Sequence, residues 1–146
     1  MSLYCAMIDF GTPEFDEALK LRYDVLRKPL NLEFDENDIA TEFDSFHIAC
    51  YDQNSNELLG ILILKLVDDH TLKMRQVAVS AAAQSKGVGT FMVKASEQFA
   101  THKNYKKIEL HARLAAVDFY LKNGYTADGD IFQEVGIDHQ AMYKLL

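Results

Sequence analysis

The chain lacks an excess of positive charge. It has 15 Lys and Arg against 22 Asp and Glu, a formal net charge of −7 over 146 residues. A general nucleic-acid binder needs a basic face to neutralise phosphates, so the balance argues against that partner. Long apolar runs are also missing. The longest, Leu58 to Val67, is broken by Lys65 and falls well short of the roughly 20 residues that cross a bilayer, so no membrane partner is expected. The stretch MSLYCAMIDF has no basic segment and no apolar core of signal-peptide length, and the expected location is cytoplasmic. Cysteine is scarce. Cys5 and Cys50 lie in apolar segments, which suits buried small hydrophobes in a reducing compartment better than a disulfide. Two cysteines, with five histidines lacking ligand spacing, suggest no metal site. With no linker and no repeat, residues 1–146 are expected to form a single domain.

What is present reads as an alternating α/β chain. Leu3 to Phe10 is β-like, and Thr12-Pro13 then offers an N-cap followed by proline at the first helical position. Phe15, Ala18, Leu19, Val25 and Leu26 recur at helical spacing, which predicts a helix to about Arg27 that Pro29 stops. An acidic connection from Glu33 to Asp44 follows, irregular or briefly helical. Strands are predicted over Phe46–Tyr51, Leu58–Val67 and Thr71–Val79, joined by turns at Asn54-Ser55-Asn56 and Asp68-Asp69-His70. Val88, Phe91, Met92, Ala95 and Phe99 give an amphipathic helix to about His102. A strand over Lys106–Ala112, a helix over Leu114–Lys122 stopped by Asn123-Gly124, and strands over Tyr125–Phe132 and Ile137–Leu146 complete a mixed sheet with helices on its faces.

The stretch QSKGVG, Gln84 to Gly89, sits between a strand and a helix start. A helix N-terminus carries unpaired N–H groups and the positive end of the dipole, and glycines let a bound group approach the backbone closely. Strand, glycine turn and helix start together can cradle a pyrophosphate, with Lys86 adding a cation. The same glycines also suit a plain strand-to-helix turn. No GxxxxGK[ST] run exists, and Gly87-Val88-Gly89 lacks the third glycine of a dinucleotide fingerprint.

QSKGVG resembles the Q/R-x-x-G-x-G/A motif of the GCN5-related N-acetyltransferase (GNAT) superfamily. RLAAVDFYLKNGY, from Arg113 to Tyr125, resembles that family's second signature, placed on Ala116, Phe119, Tyr120, Gly124 and Tyr125. LRYDVLRKPL and FQEVGIDHQAM are further similar to a small bacterial branch, the ElaA-like proteins. The resemblance implies an α/β fold with a mixed, mostly antiparallel central sheet and helices on both faces. It implies acetyl-CoA as co-substrate, a small-molecule or peptide amine as acceptor, and a homodimer among the expected forms.

Carried onto this sequence, the resemblance gives Val77, Ala78 and Val79 the pantetheine arm, whose amides a free strand edge would match. Gln84, Ser85, Lys86, Gly87, Val88, Gly89 and Thr90 would wrap the pyrophosphate, with Phe119 and Asn123 on the other side. Phe119 fits ordinary core equally well. Tyr120 matches the family tyrosine that protonates the leaving sulfur, against the plainer reading of a packed tyrosine. The general base stays open. Histone-type members carry a glutamate where register places Lys73 here, and the remaining candidates are Glu109 and His111 on one face of a strand, His139, or a water. The acids Glu33, Asp35, Glu36, Asp38, Glu42 and Asp44 would either steer a cationic amine or form a solvated loop, and Arg22 and Arg27 stand ready to pair with them. A non-catalytic acyl-CoA-binding module remains the alternative to an enzyme.

Overall fold

A computed structural model describes residues 1–33 and 36–146. Asp35, one of the six acids of the connection, lies outside the described residues. The chain runs β1 (Leu3–Ile8), α1 (Pro13–Arg22), α2 (Glu36–Ala40), β2 (Phe46–Asp52), β3 (Leu58–Leu66) and β4 (Thr71–Val79). It continues through α3 (Val88–His102), β5 (Lys107–Arg113), α4 (Val117–Lys122), β6 (Thr126–Glu134) and β7 (Ile137–Leu145). The strands form a seven-stranded sheet in the order β1-β2-β3-β4-β5-β7-β6. Neighbours are antiparallel except β4 and β5, which are parallel.

Alternation along the central strands divides the core between the two faces. Ile48, Cys50, Leu62, Leu64, Leu72 and Met74 join Met92 and Val93 of α3 in the larger cluster. Ala49, Ile61 and Ala78 point the other way, toward Ala18 of α1. Helices thus cover both faces, as the resemblance implied. Thr12 begins α1 as its sequence predicts: the hydroxyl accepts from Phe15 N–H at 3.3 Å, and Pro13 takes the first turn.

The helix ends differently from expectation. After Arg22 the chain widens into one π-helical turn, Tyr23–Arg27, then tightens into a 3₁₀ turn, Lys28–Leu30. Pro29 does not stop the chain, because early in a new turn its missing N–H has no carbonyl to serve. The stop comes at Asn31, at φ 55°. The acidic connection is short-helical, with α2 followed by a 3₁₀ turn over Thr41–Asp44. Its Glu42 is buried in a bidentate pair with Arg22 at 2.7 and 2.9 Å, which pins the connection to the end of α1. The last hairpin also departs from its prediction: β6 runs to Glu134, and Val135-Gly136 makes the turn, both at positive φ.

One irregularity decides where a site can exist. Ile61 pairs with Ala78 and Ile63 with Arg75, so Gln76 and Val77 together stand opposite Leu62 as a β-bulge. Gln76 adopts φ 54°, the left-handed region. A bulge bends its strand and increases the local twist. The ladder between β4 and β5 holds from Thr71↔Lys107 to Met74↔Leu110 and ends there. Beyond it β4 has no strand partner on its β5 side among the described residues, while β5 continues against β7.

The bulge gives a stability prediction. Gln76→Val puts a β-branched residue at positive φ and should destabilise the fold by about 2 kcal/mol. Gln76→Gly, free of that strain, should stay within about 1 kcal/mol of the parent in urea unfolding. Equal losses in the two variants would show that the side chain, not the backbone conformation, matters at this position.

Candidate active site

The gap between β4 and β5 opens onto a cleft of about 570 Å³, a size typical of small-molecule sites. Strand register places one set of side chains on its sheet face. Lys73 stands opposite Glu109, His111 opposite Ala141, and Arg113 opposite His139. Residues two apart share a face, so Lys73, Arg75, His111, Arg113 and His139 project together. The segment from α1 through the acidic connection forms the opposite wall, with Leu26, Leu32 and Ile39 among its residues.

Tyr120 of α4 enters from the other side of the sheet. It belongs to the core cluster beneath α3 and also lines the cleft. Phe119 and Tyr125 hold its ring edge-on, at centroid distances of 5.0 and 5.6 Å. Its hydroxyl has no hydrogen-bond partner among the described residues, yet it is not sealed from the cleft. Burial pushes the phenol up to about 12.

His111 and Glu134 form the cleft's polar pair. His111 Nδ1 lies 3.0 Å from Glu134 Oε1 and 3.3 Å from Lys73 Nζ. One nitrogen cannot donate to the carboxylate and accept from the ammonium at once. The shorter contact to a carboxylate assigns Nδ1–H to Glu134 and leaves the lone pair on Nε2. His139 Nδ1 donates to Ile137 O at 2.7 Å, and its Nε2 stands 3.7 Å from Glu134 Oε2, too far for a hydrogen bond. Burial alone would raise the Glu134 carboxyl. His111, then His139 and Lys73, outweigh it and hold the group below the usual glutamate range. Burial, followed by the neighbouring Arg75, lowers the Lys73 ammonium, and Glu134 and Glu109 oppose the shift.

The glycine loop lies at the far end of β4. Gln84 Nε2 donates to Val79 O at 3.0 Å, tying the loop back to the strand. Gly87 begins α3 at φ 85°, with no side chain capping the helix and nothing within 4 Å of where a Cβ would stand. The first-turn N–H groups thus have no side-chain cap and the space beside Gly87 is open, as an anion cradle requires. A Cβ on Gly89 would meet the Phe119 ring at 3.2 Å, so this glycine allows α3 and α4 to approach.

Several expected residues take narrower places. Val88 is 1% exposed in the core, so only its backbone can serve a ligand. Asn123 Nδ2 donates to Phe119 O at 2.8 Å and caps α4. Ser85, Lys86 and Thr90 stay in the loop and the first turn of α3, accessible to solvent. Val77 lines the cleft, whereas Ala78 is buried toward α1. Glu109 pairs with Lys107 at 3.9 Å and is not part of the cleft wall, unlike His111. Sequence reasoning passed over Glu134, because the predicted strand ended at Phe132. A two-residue turn at Val135-Gly136 would have placed Glu134 on the face of His139. Among the described residues no group of three or more His, Cys, Asp or Glu could hold a metal ion, and no helix is long and apolar enough to cross a membrane.

Comparison with known proteins adds independent observations. A model described as the acetyltransferase (GNAT) family matches residues 12–125. The chain is 30% identical over 140 residues to the uncharacterized N-acetyltransferase YjcF of Bacillus subtilis, covering 95% of this chain and 98% of that one. Among solved structures, a Lactobacillus plantarum protein superimposes with a TM-score of 0.86 at 23% identity, covering 100% of this chain and 99% of that one. Escherichia coli ElaA gives 0.77 at 23% identity, with 97% and 99% covered. An Elizabethkingia anophelis acetyltransferase, solved with acetyl-CoA bound, gives 0.72 at 20% identity, with 99% and 96% covered.

The depressed Glu134 carboxyl yields a titration prediction. A carboxyl whose folded pKa lies below its unfolded one stabilises the fold above the usual glutamate range, about 4.3. It loses that contribution as pH falls through the folded value. Carbon-detected NMR should find Glu134 titrating below ordinary glutamates, and His111→Ala should move it up. An unchanged midpoint in His111→Ala would show that the imidazole does not hold the carboxylate.

Proposed function

Because the chain belongs to the GNAT family of acetyltransferases, we propose that it transfers an acetyl group from acetyl-CoA to a primary amine by direct attack in a ternary complex. The observation that carries this reading is the parting of β4 from β5. The opening supplies a free strand edge at Val77–Val79, an uncapped α3 N-terminus beyond it, and the Tyr120 hydroxyl in the adjoining cleft. These parts fit an extended thioester: phosphates at Gln84–Thr90, pantetheine amides along the strand edge, sulfur toward Tyr120. A structural neighbour with acetyl-CoA bound supports the choice of co-substrate.

The reaction then balances as follows. An ammonium gives a proton to the His111 Nε2 lone pair, directly or through one water, while Glu134 on Nδ1–H stabilises the imidazolium. The freed amine attacks the acetyl carbonyl, an N–C bond forms, the C–S bond breaks, and the attacking nitrogen gives its second proton to water or the departing thiolate as the amide forms. A backbone N–H on the open edge of β4 polarises the carbonyl oxygen.

Tyr120 serves the leaving sulfur, with its role limited by its own acidity. With the phenol near 12 and a thiol near 8.5, moving the proton fully to sulfur costs about 5 kcal/mol. The side chain therefore donates a hydrogen bond to developing thiolate charge, and the final proton comes from solvent or the imidazolium. A binding module without chemistry would have no need of a tyrosine and a histidine–carboxylate pair lining one cleft.

Calorimetric titration with acetyl-CoA, with NADH and ATP as controls, tests the cradle. Selective acetyl-CoA binding is expected, and Gly87→Glu should weaken it at least tenfold by placing a carboxylate in the phosphate site. Gly87→Glu and Gly89→Glu both carry a structural cost, since Gly87 sits at φ 85° and a side chain on Gly89 presses on Phe119, so Gly87→Ala serves as the control for backbone strain. Undiminished binding in Gly87→Glu would reduce the loop to a turn.

Tyr120→Phe should lower kcat about 100-fold and leave acetyl-CoA affinity within twofold. Unchanged turnover would remove Tyr120 from the chemistry.

A further inference from the structure

Five basic side chains line this cleft, Arg22, Arg27, Lys73, Arg75 and Arg113, together with four carboxylates, Glu33, Asp38, Glu42 and Glu134. In a protein of net charge −7 the near balance is a local concentration of cations. Some of that charge is answered internally. Arg22 is held by Glu42, Lys73 stands beside the His111–Glu134 pair, and Arg27 reaches Gln76 Oε1 at 3.3 Å. Arg75 and Arg113 differ. Arg113 donates only to the backbone carbonyl of Leu26, at 3.2 Å, and Arg75 has no hydrogen bond or ion pair with a described residue. No carboxylate pairs with either among the described residues.

Crowding of like charge acts on Arg27: burial, then Arg22 and Arg113, lowers its guanidinium, Glu42 opposes, and Arg75 adds to the lowering. Burial also lowers Arg113. A partly desolvated guanidinium with no carboxylate partner, as at Arg113, favours a bound anion, and a guanidinium fork fits a carboxylate. The phosphates of the co-substrate belong elsewhere. Arg75 precedes Val79 by four residues, roughly 13 Å at strand spacing, and the phosphate cradle lies beyond Val79.

Resting on the acetyltransferase reading, we propose that the acceptor is an amine that also carries a carboxylate, gripped by Arg75 and Arg113. Its ammonium then lies toward the other charge in the cleft, the carboxylates of Glu134, Asp38 and Glu33. The acceptor is zwitterionic, an amino acid or the free end of a peptide that presents both groups, rather than a polyamine.

The test uses the full chain in a thiol-release assay with acetyl-CoA. α-Amino acids are compared with their carboxamides, and matched alkylamines with neither group are included. Free acids should exceed their amides at least tenfold in kcat/KM. Arg75→Met should erase most of that preference through KM, with acetyl-CoA affinity, measured by calorimetry, kept within twofold. Arg113→Lys, which keeps a donor for Leu26 O, should reduce the preference by a smaller factor.

A second arm compares succinyl-CoA with butyryl-CoA. A tenfold preference for succinyl-CoA that Arg75→Met abolishes would place the carboxylate on the acyl donor and overturn the assignment to the acceptor. Amides or alkylamines used as well as free acids, or a preference that survives both arginine variants, would also overturn it. So would acetyl-CoA binding with no free acid accepted, and none of its N-acetylated forms binding the CoA-loaded protein. Failure to bind acetyl-CoA at all strikes the acetyltransferase reading instead, which keeps the two failures distinct.

Discussion

Everything at the site depends on two parallel strands that stop pairing. β4 and β5 share four residue pairs and then part. A continuous ladder would saturate the backbone groups of Val77–Val79, leaving nothing to receive the amides of an extended ligand. It would also close the gap through which Tyr120, rooted in the core beneath α3, meets side chains on the opposite face. The separation has a local cause. The bulge at Gln76 and Val77 turns β4 away while β3 still holds it at Ala78 and Val79. Left-handed conformation at a non-glycine residue costs of order 1–2 kcal/mol, a modest cost beside the long sheet that fixes the strand on both sides of the bulge.

The buried pair of Arg22 and Glu42 governs the opposite wall. Such a pair is weak evidence for net stability, since desolvation offsets much of its attraction. Its positional effect is clearer. It locks the end of α1 to the 3₁₀ turn after α2, and Glu42 O also receives His47 Nε2 at 2.9 Å. The connection is thereby fixed over the cleft. Chemically, the pairing also withdraws Glu42, the buried acid among the connection's described residues, from service to the other arginines. The acids that looked like a steering patch divide into a structural member, Glu42, two cleft residues, Glu33 and Asp38, and exposed ones such as Glu36 and Asp44.

The features legible in the sequence were those that local chemistry determines. Thr12-Pro13 marks a helix start whatever surrounds it, and QSKGVG needs glycine for reasons contained within the loop. The mostly antiparallel sheet with helices on both faces, by contrast, came with the family resemblance and not from periodicity. Two kinds of feature stayed hidden. Glu134 depended on where β6 ended, and its Val135-Gly136 turn puts a valine at positive φ, which turn chemistry does not anticipate. Arg75 and Arg113 sit on strands where alternation alone suggests a solvated face. Only the covering segment from α1 to α2, joined by contacts distant in sequence, turns that face into an interior.

The contrast between overall and local charge bears on how a substrate is selected. At physiological salt the Debye length is about 8 Å, so the net negative charge is felt only close to the surface. Inside the cleft, walls of lower dielectric let individual guanidiniums act with far less screening. A polyanion would be repelled as it neared the acidic surface, and a polyamine would place some of its charges against Arg75 and Arg113. A zwitterion experiences neither penalty: it carries no net charge to be repelled, and each of its ends has an opposite charge waiting. Selection on this view resides in the spacing of fixed charges around the gap between β4 and β5, the same gap proposed to admit the thioester. Binding geometry and reactive geometry are then set by one feature of the sheet.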